Sequence, residues 1–328
     1  MDMAAAGGGS APVTTVSGEL AGLRARVHSE VGKVVVGQNQ VVDAMLAAAA
    51  VGGHLLLEGA PGVAKTLLAS ALARALGMDW RRVQFTPDLL PSDVTGTLVL
   101  RGSDLAFRPG PVFTHLLLAD EVNRTPPKTQ AALLEAMQER QVSIDGTPHP
   151  LPDPFLVVAT ENPIEHEGTY PLPEAQLDRF LMKLDVGYPA AHEEEQVLRL
   201  RHRGVEPATL GDVAPVGTPA DLLSARNEVD AVSASDAVVS YVAALVRRTR
   251  ELPAVALGAS PRAGVHLLAA AKAAACLAGR GYVVPDDVVG LAGPVLRHRL
   301  VLTAEAELDR FSADDAVRSA LAAVPVPR

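Results

Sequence analysis

A glycine-rich segment that ends in lysine and threonine is the strongest chemical signal in this chain. It follows the apolar residues 55–57 and opens a helical pattern, and its residues are Gly59, Ala60, Pro61, Gly62, Val63, Ala64, Lys65, Thr66 and Leu67. A strand, a glycine-rich turn, Lys-Thr and a helix are the context of a phosphate-binding loop. Backbone N–H groups and the helix N-terminus then face phosphate oxygens. Lys65 would reach the β- and γ-phosphates, and Thr66 would hold Mg²⁺.

One residue departs from the general pattern of such loops. Ala64 stands where glycine usually precedes the lysine, although a small residue still fits there. Because short motifs also match by chance, an ordinary Gly-Pro turn between a strand and a helix is the alternative for this segment.

An acidic pair follows a second apolar run, residues 116–119. Asp120 and Glu121 would lie at the carboxyl end of a buried strand, where α/β sheets bind ligands. Asp120 can hold the hydration shell of Mg²⁺, which prefers oxygen ligands and keeps several waters. Glu121 can orient and deprotonate an attacking water. The alternative is a solvated Asp-Glu pair at the entrance to a loop.

Two further polar residues follow a predicted strand and a predicted short helix. Asn162 comes just after the strand at 155–160, and its amide can hydrogen-bond a γ-phosphate or the attacking water. A turn is the alternative there. Arg179 falls in the helix predicted at 174–180, at the edge of the domain. Its alternative is a surface ion pair with Asp178, which would contribute little to stability.

Together these residues resemble the AAA+ ATPases, and specifically the MoxR family. The segments that carry the resemblance are GAPGVAKT (59–66), LADEVNR (118–124), PPKTQ (126–130), LEAMQERQ (134–141), ATENP (159–163), EGTYP (167–171) and LDRF (177–180). Alanine at position 64 is usual in this family. The resemblance extends from about residue 31 to residue 185 and continues more weakly through SPRA at 260–263.

The resemblance assigns roles to residues that the motifs alone leave open. Asn162 resembles sensor 1, Arg179 the arginine finger that a neighbouring subunit supplies, and Arg262 sensor 2. Val36 and Gly37 resemble the approach to the adenine pocket. Arg262 follows Ser260, a good N-cap residue for a helix, and a solvated arginine in the first helical turn is its alternative.

The activity that the resemblance implies is hydrolysis of ATP with Mg²⁺, by in-line attack of water on the γ-phosphorus. It also implies a homo-oligomeric ring, taken as a hexamer, that remodels a protein partner in the manner of a chaperone. The usual partners of the family are von Willebrand factor A-type domain proteins. No Asn-Lys-x-Asp sequence for reading guanine is present, which favours ATP over GTP.

Two other functions stay open at this point. The chain could be a nucleotide-gated assembly platform with slow turnover, which stimulation of ATP hydrolysis by a partner would separate from a remodeller. It could also be a chelatase-type or DNA-directed motor. The net charge of −9 is the wrong sign for general nucleic-acid binding, so no nucleic-acid partner is expected.

Alternating strand and helix patterns predict an α/β fold, an AAA+ P-loop NTPase core with a five-stranded parallel sheet and helices on both faces. The predicted strands are 54–57, 83–85, 116–119, 155–160 and 182–186, and the predicted helices are 24–34, 41–51, 65–76, 127–140 and 174–180. Two hairpins, near 98–108 and 142–151, interrupt the alternation. The family places such hairpins at the ring pore, and decoration of the sheet edge is their alternative.

The second half of the chain predicts a small all-α lid, with no convincing strand pattern. We predict a flexible N-terminal tail at 1–17, the α/β core at 18–187, a linker at 188–219 and the lid at 220–328. The predicted helices after the core are 192–203, 220–229, 236–250, 261–278 and 285–299.

Composition favours a cytoplasmic protein. Cys276 is the only cysteine, which excludes an intrachain disulfide, and the nine histidines show no metal-ligand spacing. No apolar run approaches the ~18 residues that a membrane-spanning helix needs. The first residues lack the basic start and apolar centre of a signal peptide.

Overall fold

The computed structural model describes residues 18–162, 168–202 and 209–327. The predicted flexible tail, residues 203–208 of the predicted helix and linker, and parts of the motifs at 159–163 and 167–171 lie outside the described residues.

The first part of the described chain alternates helices and strands. In chain order its elements are α1 (Glu19–Val31), α2 (Asn39–Val51), β1 (Leu55–Glu58), α3 (Lys65–Ala75), β2 (Trp80–Gln84), α4 (Pro91–Thr95), β3 (Gly96–Arg101), β4 (Asp104–Pro109), β5 (Leu116–Asp120), α5 (Pro127–Glu139), β6 (Gln141–Ile144), β7 (Thr147–Pro150), β8 (Leu156–Glu161), α6 (Glu174–Leu177) and β9 (Met182–Asp185). A short 3-10 turn, Val122–Arg124, follows β5.

Five of these strands form one parallel sheet, in the order β2-β5-β8-β1-β9. Leu55 of β1 is paired with Val158 on one side and with Met182 on the other, so the three strands run in step. The central strands are continuous apolar runs, as expected for a parallel sheet that is covered on both faces. The predicted five-stranded sheet is confirmed.

The side chains of the central strands alternate between two apolar layers. Leu55 and Leu57 pack in the layer that contains α1, α2 and α3, whereas Leu56 packs with α5 on the other face. This period of two follows from the pleat of a strand. Leu56 is fully buried, and truncating such a leucine to alanine costs about 2–5 kcal/mol.

Both predicted hairpins form. β3 pairs with β4, and β6 pairs with β7, each in antiparallel register. Asp145 and Gly146 both have positive φ, at 49° and 75°, as a type I′ turn requires. The rings of Phe107 and His149 stack with centroids 4.0 Å apart, so the two hairpins contact each other.

The second part of the chain is mainly helical, as predicted, and also contains a short antiparallel pair. Its elements are α7 (Ala191–His202), α8 (Pro219–Ala231), α9 (Asp236–Thr249), β10 (Val255–Leu257), α10 (Pro261–Leu277), α11 (Pro285–Leu296), β11 (Val301–Leu302), α12 (Ala304–Leu308) and α13 (Ala313–Ala323). Two 3-10 turns, Leu210–Asp212 and Arg297–Arg299, join them. Strands of three and two residues are too short to show a period in the sequence.

The lid packs directly against the core. Residues of α10 share one buried apolar cluster with α2 and α3. Among the described residues, no helix is both long and apolar enough to cross a membrane.

His54 joins three elements at the amino end of β1. It is buried, its Nδ1 accepts the N–H of Val157 at 3.0 Å, and its Nε2 lies 3.1 Å from the carbonyl oxygen of Met137. The ring is therefore neutral, with the proton on Nε2. Burial lowers the pKa of His54 to about 4.

We predict that His54 makes the protein less stable in mild acid. As the pH falls from about 6.5 toward 4, the unfolded chain takes up a proton on this ring before the folded chain does, so folding free energy is lost in that window. Between about pH 7.5 and pH 5 the native chain should lose about 2 kcal/mol more than the His54→Asn variant. Urea unfolding at both pH values measures this, and equal losses would contradict it.

Candidate functional site

The loop between β1 and α3 has the backbone that a phosphate-binding loop needs. Gly62 and Ala64 both lie in the left-handed region, with φ of 85° and 65°. Glycine adopts this conformation freely, whereas alanine is strained in it. The positive φ at Ala64 explains why the general pattern has glycine at this position.

A close contact fixes the start of the loop. A Cβ atom at Gly59 would lie 2.4 Å from the carbonyl oxygen of Val186, so only glycine fits here. The N–H of Val186 in turn donates to the carbonyl of Glu58 at 2.7 Å. The loop is thereby held against the segment that follows β9.

Lys65 begins α3 and turns its ammonium group back over the loop. It donates to the backbone carbonyls of Gly59, of Ala60 at 3.4 Å and of Glu161 at 3.3 Å. Partial burial lowers the pKa of Lys65, and the carboxylates of Asp120 and Glu121 oppose that shift. The ammonium therefore lies beside the carboxyl ends of β1 and β8.

Thr66 and Asp120 provide oxygen atoms next to Lys65. The hydroxyl of Thr66 donates to Oδ2 of Asp120 at 3.3 Å. The hydroxyl of Thr160 donates to Oδ1 at 2.6 Å, and the guanidinium of Arg82 lies 2.7 Å from Oδ2. A hydroxyl and a carboxylate at this separation are the donor set that Mg²⁺ prefers, so these residues fit the ion.

Glu121 is held in a strained conformation beside Asp120. Its φ is 56°, which is rare for a residue with a side chain and is often found at functional sites. Its N–H donates to the hydroxyl of Thr160 at 2.9 Å, and its carboxylate accepts from Gln84 at 2.6 Å and from Arg124 at 3.0 Å. Thr160 therefore fixes the two acidic residues relative to each other.

Asn162 lies where the sequence places it. Glu161, the last residue of β8, pairs with Glu58 at the end of β1, and Asn162 follows directly. Only 5% of its surface is exposed. The structure thus brings Lys65, Thr66, Asp120, Glu121 and Asn162 together at the carboxyl edge of the sheet.

The predicted approach to the adenine pocket packs against the start of α7. Gly37 has a φ of 79°, and a Cβ there would meet the carboxylate of Glu193. The side-chain amide of Gln38 donates to the carbonyl of Gly187 at 3.1 Å. Val36 and Gly37 therefore lie near the segment that follows β9, on the same side as the phosphate loop.

Arg179 and Arg262 lie at the opposite edge of the sheet. α6 ends at Leu177, so Arg179 sits in the turn before β9 and not on the helix that we predicted. Because Met182 is paired with Leu55, this turn is at the amino edge. Arg179 donates to the carbonyl of Leu134 at 3.1 Å.

The two arginines line one cavity of about 200 Å³, together with His54, Met137, Gln138 and His266. The predicted alternative of an Asp178–Arg179 ion pair is not what the structure shows, since Asp178 pairs with Arg299 at 2.8 Å and with Arg262 at 3.6 Å. Ser260 stands at the N-cap position of α10, but its hydroxyl accepts no hydrogen bond from the helix and instead donates to Asp178 at 3.2 Å.

Comparison with known proteins agrees with this geometry. Residues 54–182 match the model of the ATPase family associated with various cellular activities (AAA), and residues 247–320 match that of the AAA lid domain. The chain is 46% identical to Chaperone MoxR1 of Mycobacterium tuberculosis, over 94% of this chain and 85% of that protein. It is 35% identical to Protein MoxR of Paracoccus denitrificans, over 90% and 93% of the two chains.

The chain belongs to the MoxR family of AAA+ ATPases. The Bacillus subtilis protein YeaC is 47% identical over 93% of this chain and 95% of its own. The crystal structure of a presumed ATPase from Cytophaga hutchinsonii superposes with a TM-score of 0.86 at 42% identity, over 94% of this chain and 97% of that one. The predicted family and fold class are confirmed.

Three residues at the site of this MoxR-family chain were missed by the sequence reasoning. Arg82 and Gln84 lie on β2 and contact the carboxylates of Asp120 and Glu121, respectively. Thr160 donates to the carboxylate of Asp120 and accepts from the backbone N–H of Glu121. The signal that could have found Thr160 is its place at the end of an apolar strand. For the two β2 residues the missing information is that β2 pairs with β5.

We predict that Lys65→Ala abolishes tight binding of ATP. The ammonium of Lys65 lies over the phosphate-binding loop, where it would neutralise the charge of the bound phosphates. A titration with a fluorescent ATP analogue measures the affinity. Lys272→Ala is the matched control, since this lysine binds the carbonyl of Asp230 in the lid. Unchanged affinity in the Lys65 variant would remove the phosphate-loop assignment.

Proposed function

We propose that this MoxR-family protein binds and hydrolyses ATP with Mg²⁺ and uses the cycle to remodel a protein partner, acting as a homo-oligomeric ring that we take to be a hexamer. The observation that carries the proposal is the cluster of Lys65, Thr66, Asp120 and Glu121 at one edge of a parallel sheet.

Binding is assigned to the phosphate loop and its neighbours. The N–H groups of residues 62–65 and the N-terminus of α3 hold the phosphates. The ammonium of Lys65 leaves the loop carbonyls of Gly59 and Ala60 and binds phosphate oxygens instead. Thr66 and Asp120 would hold Mg²⁺, which neutralises charge that develops on the phosphates. Val36 and Gly37 contact the adenine end.

Hydrolysis is assigned to Glu121 and Asn162. Glu121 accepts the proton of the attacking water, and Asn162 aligns that water with the γ-phosphate. Gln84 and Arg124 hold the carboxylate of Glu121 in place until water arrives. Catalysis of this kind is mainly positioning and charge stabilisation.

The arginines complete a different subunit's site. β1 has four residues, so the phosphate loop and the amino edge are separated by about 13 Å of strand. Arg179 therefore serves the nucleotide of a neighbouring subunit. Arg262 lines the same cavity as Arg179, and we assign it to the same neighbouring nucleotide.

Remodelling is assigned to the hairpin of β3 and β4. Leu100 and Leu105 at its tip are 70% and 66% exposed, which suits contact with an apolar segment of a protein. We take the partner to be a von Willebrand factor A-type domain protein, as the family resemblance implies, and the compartment to be the cytoplasm, as the single cysteine favours. The net charge of −9 speaks against a nucleic-acid partner.

We predict that Glu121→Gln keeps ATP binding but loses hydrolysis by about 100-fold or more, because an amide preserves shape but cannot accept the proton. Phosphate release and nucleotide affinity are measured on the same preparation. Glu305→Gln, an exposed change in α12, is the control. Near-normal turnover of the Glu121 variant would exclude it as the base.

We predict that two inactive variants restore activity when mixed. Arg179→Ala subunits keep an intact Glu121, and Glu121→Gln subunits keep an intact Arg179, so some interfaces of a mixed ring combine both. An arginine finger is worth about 10³- to 10⁵-fold in rate, so a minority of repaired interfaces is visible.

Mixing precedes addition of nucleotide, and energy transfer between labelled chains verifies that subunits exchange. Light scattering with a non-hydrolysable ATP analogue verifies that both variants still assemble. Exchange without recovered hydrolysis would rule out the action of Arg179 on a neighbour.

A further inference from the structure

Arg299 is a buried arginine that joins the lid to the core. Only 1% of its side chain is exposed, and it lies in the turn after α11. Its guanidinium donates to Oδ1 of Asp178 at 2.8 Å and to the carbonyls of Phe180 at 2.6 Å, Asp178 at 3.3 Å and Leu181 at 3.3 Å. It also binds the carbonyl of Val295 near the end of α11.

All of these contacts with the core fall on residues 178–181, the turn that contains Arg179. One guanidinium thus holds the peptide groups on both sides of the proposed finger. His298, the neighbouring lid residue, lies 3.2 Å from the carbonyl of Phe180 and adds a second contact. The N–H groups of residues 178–180 bind carbonyls of residues 174–177, whereas the lid holds the carbonyl groups of residues 178, 180 and 181.

The carboxylate of Asp178 also pairs with Arg262. Asp178 accepts from Arg299 and from Ser260, and it pairs with Arg262 at 3.6 Å. Two separate parts of the lid, the start of α10 and the turn after α11, therefore converge on one carboxylate. Arg179 is the residue next to that carboxylate in the chain.

His266 supports the guanidinium from the lid side. Its Nδ1 lies 2.6 Å from an NH2 of Arg299 and accepts its hydrogen bond. Burial and the charge of Arg299 lower the pKa of His266 to about 4, so the ring is a neutral acceptor at neutral pH.

We propose that Arg299 is a positioning residue that ties residues 178–181 to the lid, so that Arg179 and Arg262 meet the neighbouring subunit's nucleotide as one rigid unit. The lid of one subunit then sets the hydrolysis rate of the next. This inference rests on the proposed function, in which Arg179 acts on a neighbour.

The test places Arg299→Lys in either member of the complementing pair. Lysine keeps the charge but lacks the planar fork that binds several acceptors at once. In the Glu121→Gln subunit, which supplies the finger, the change should lower the restored hydrolysis by about 10- to 100-fold, since a misplacement near 1 Å has effects of that size.

In the Arg179→Ala subunit, which has no finger to position, the same change should leave the restored hydrolysis unaltered. A general loss of folding would reduce activity in both placements. Equal losses of hydrolysis in the two placements would therefore overturn the proposal. Recovery of hydrolysis in the pair without Arg299→Lys tests the proposed function separately. Arg280→Lys is the matched control, because Arg280 binds Asp287 entirely within the lid.

A second measurement does not depend on hydrolysis. Because Cys276 is the only cysteine, Arg179→Cys in a Cys276→Ala background carries a single nitroxide spin label. Arg299→Lys should increase the mobile fraction of its electron paramagnetic resonance spectrum, and Arg280→Lys should not. An unchanged spectrum overturns the positioning role of Arg299, whether or not the unmodified pair recovers activity. Failure of the unmodified pair to recover activity counts only against the proposed function.

Discussion

The parallel pairing of β1 with β8 and β9 is the constraint on which the rest of the molecule depends. It places the phosphate loop and the acidic residues at the carboxyl edge of the sheet, because each follows the end of a strand. The same register places Arg179 at the amino edge, just before β9. A single chain therefore holds the two halves of the proposed catalytic set at opposite edges of its sheet. In the proposed function, assembly with a neighbouring subunit brings them together.

At the carboxyl edge the geometry depends on a hydroxyl group. Thr160 donates to Asp120 and accepts from the N–H of Glu121, so one side chain sets the separation of two like-charged residues. Arg82 offsets part of the charge on Asp120, and Arg124 offsets part of that on Glu121. Two neighbouring carboxylates repel each other, and nearby cations offset this repulsion. A bound Mg²⁺ would offset it in the same way, so the acidic pair suits a magnesium site.

The sequence predicts the strands of this sheet well where they are apolar runs. It fails at β2, which begins at Trp80 and not at residue 83, because Trp80 is only partly buried and the next two residues are exposed arginines, so the start of the strand shows no apolar run. The site residues that follow strand ends were predicted, since their position needs only the local motif. The partners Arg82 and Gln84 were not, because strand order is a property of the whole fold.

The same limit applies at the amino edge. The adjacent residues Asp178 and Arg179 suggest a local ion pair, yet the carboxylate binds Arg299, which is 121 residues away in the chain. Nothing in the local pattern indicates this pairing, because it depends on how the lid docks. Ser260 is a second case that the local sequence does not reveal. It occupies the N-cap position of α10, yet its hydroxyl donates to Asp178 of the core and does not cap the helix.

The positive charge of the lid arginines near Arg179 gives a reason why subunit assembly and nucleotide binding should be coupled. Arg262 and Arg299 share the single carboxylate of Asp178, and the nearby rings of His54 and His266 stay neutral because burial lowers the pKa of each to about 4. Burial lowers the pKa of Arg299 as well, and the charge of Arg262 adds to this. Concentrated positive charge of this kind is relieved by an anion. In the proposed ring that anion is a neighbour's phosphate, so bound nucleotide strengthens the contact between the two subunits.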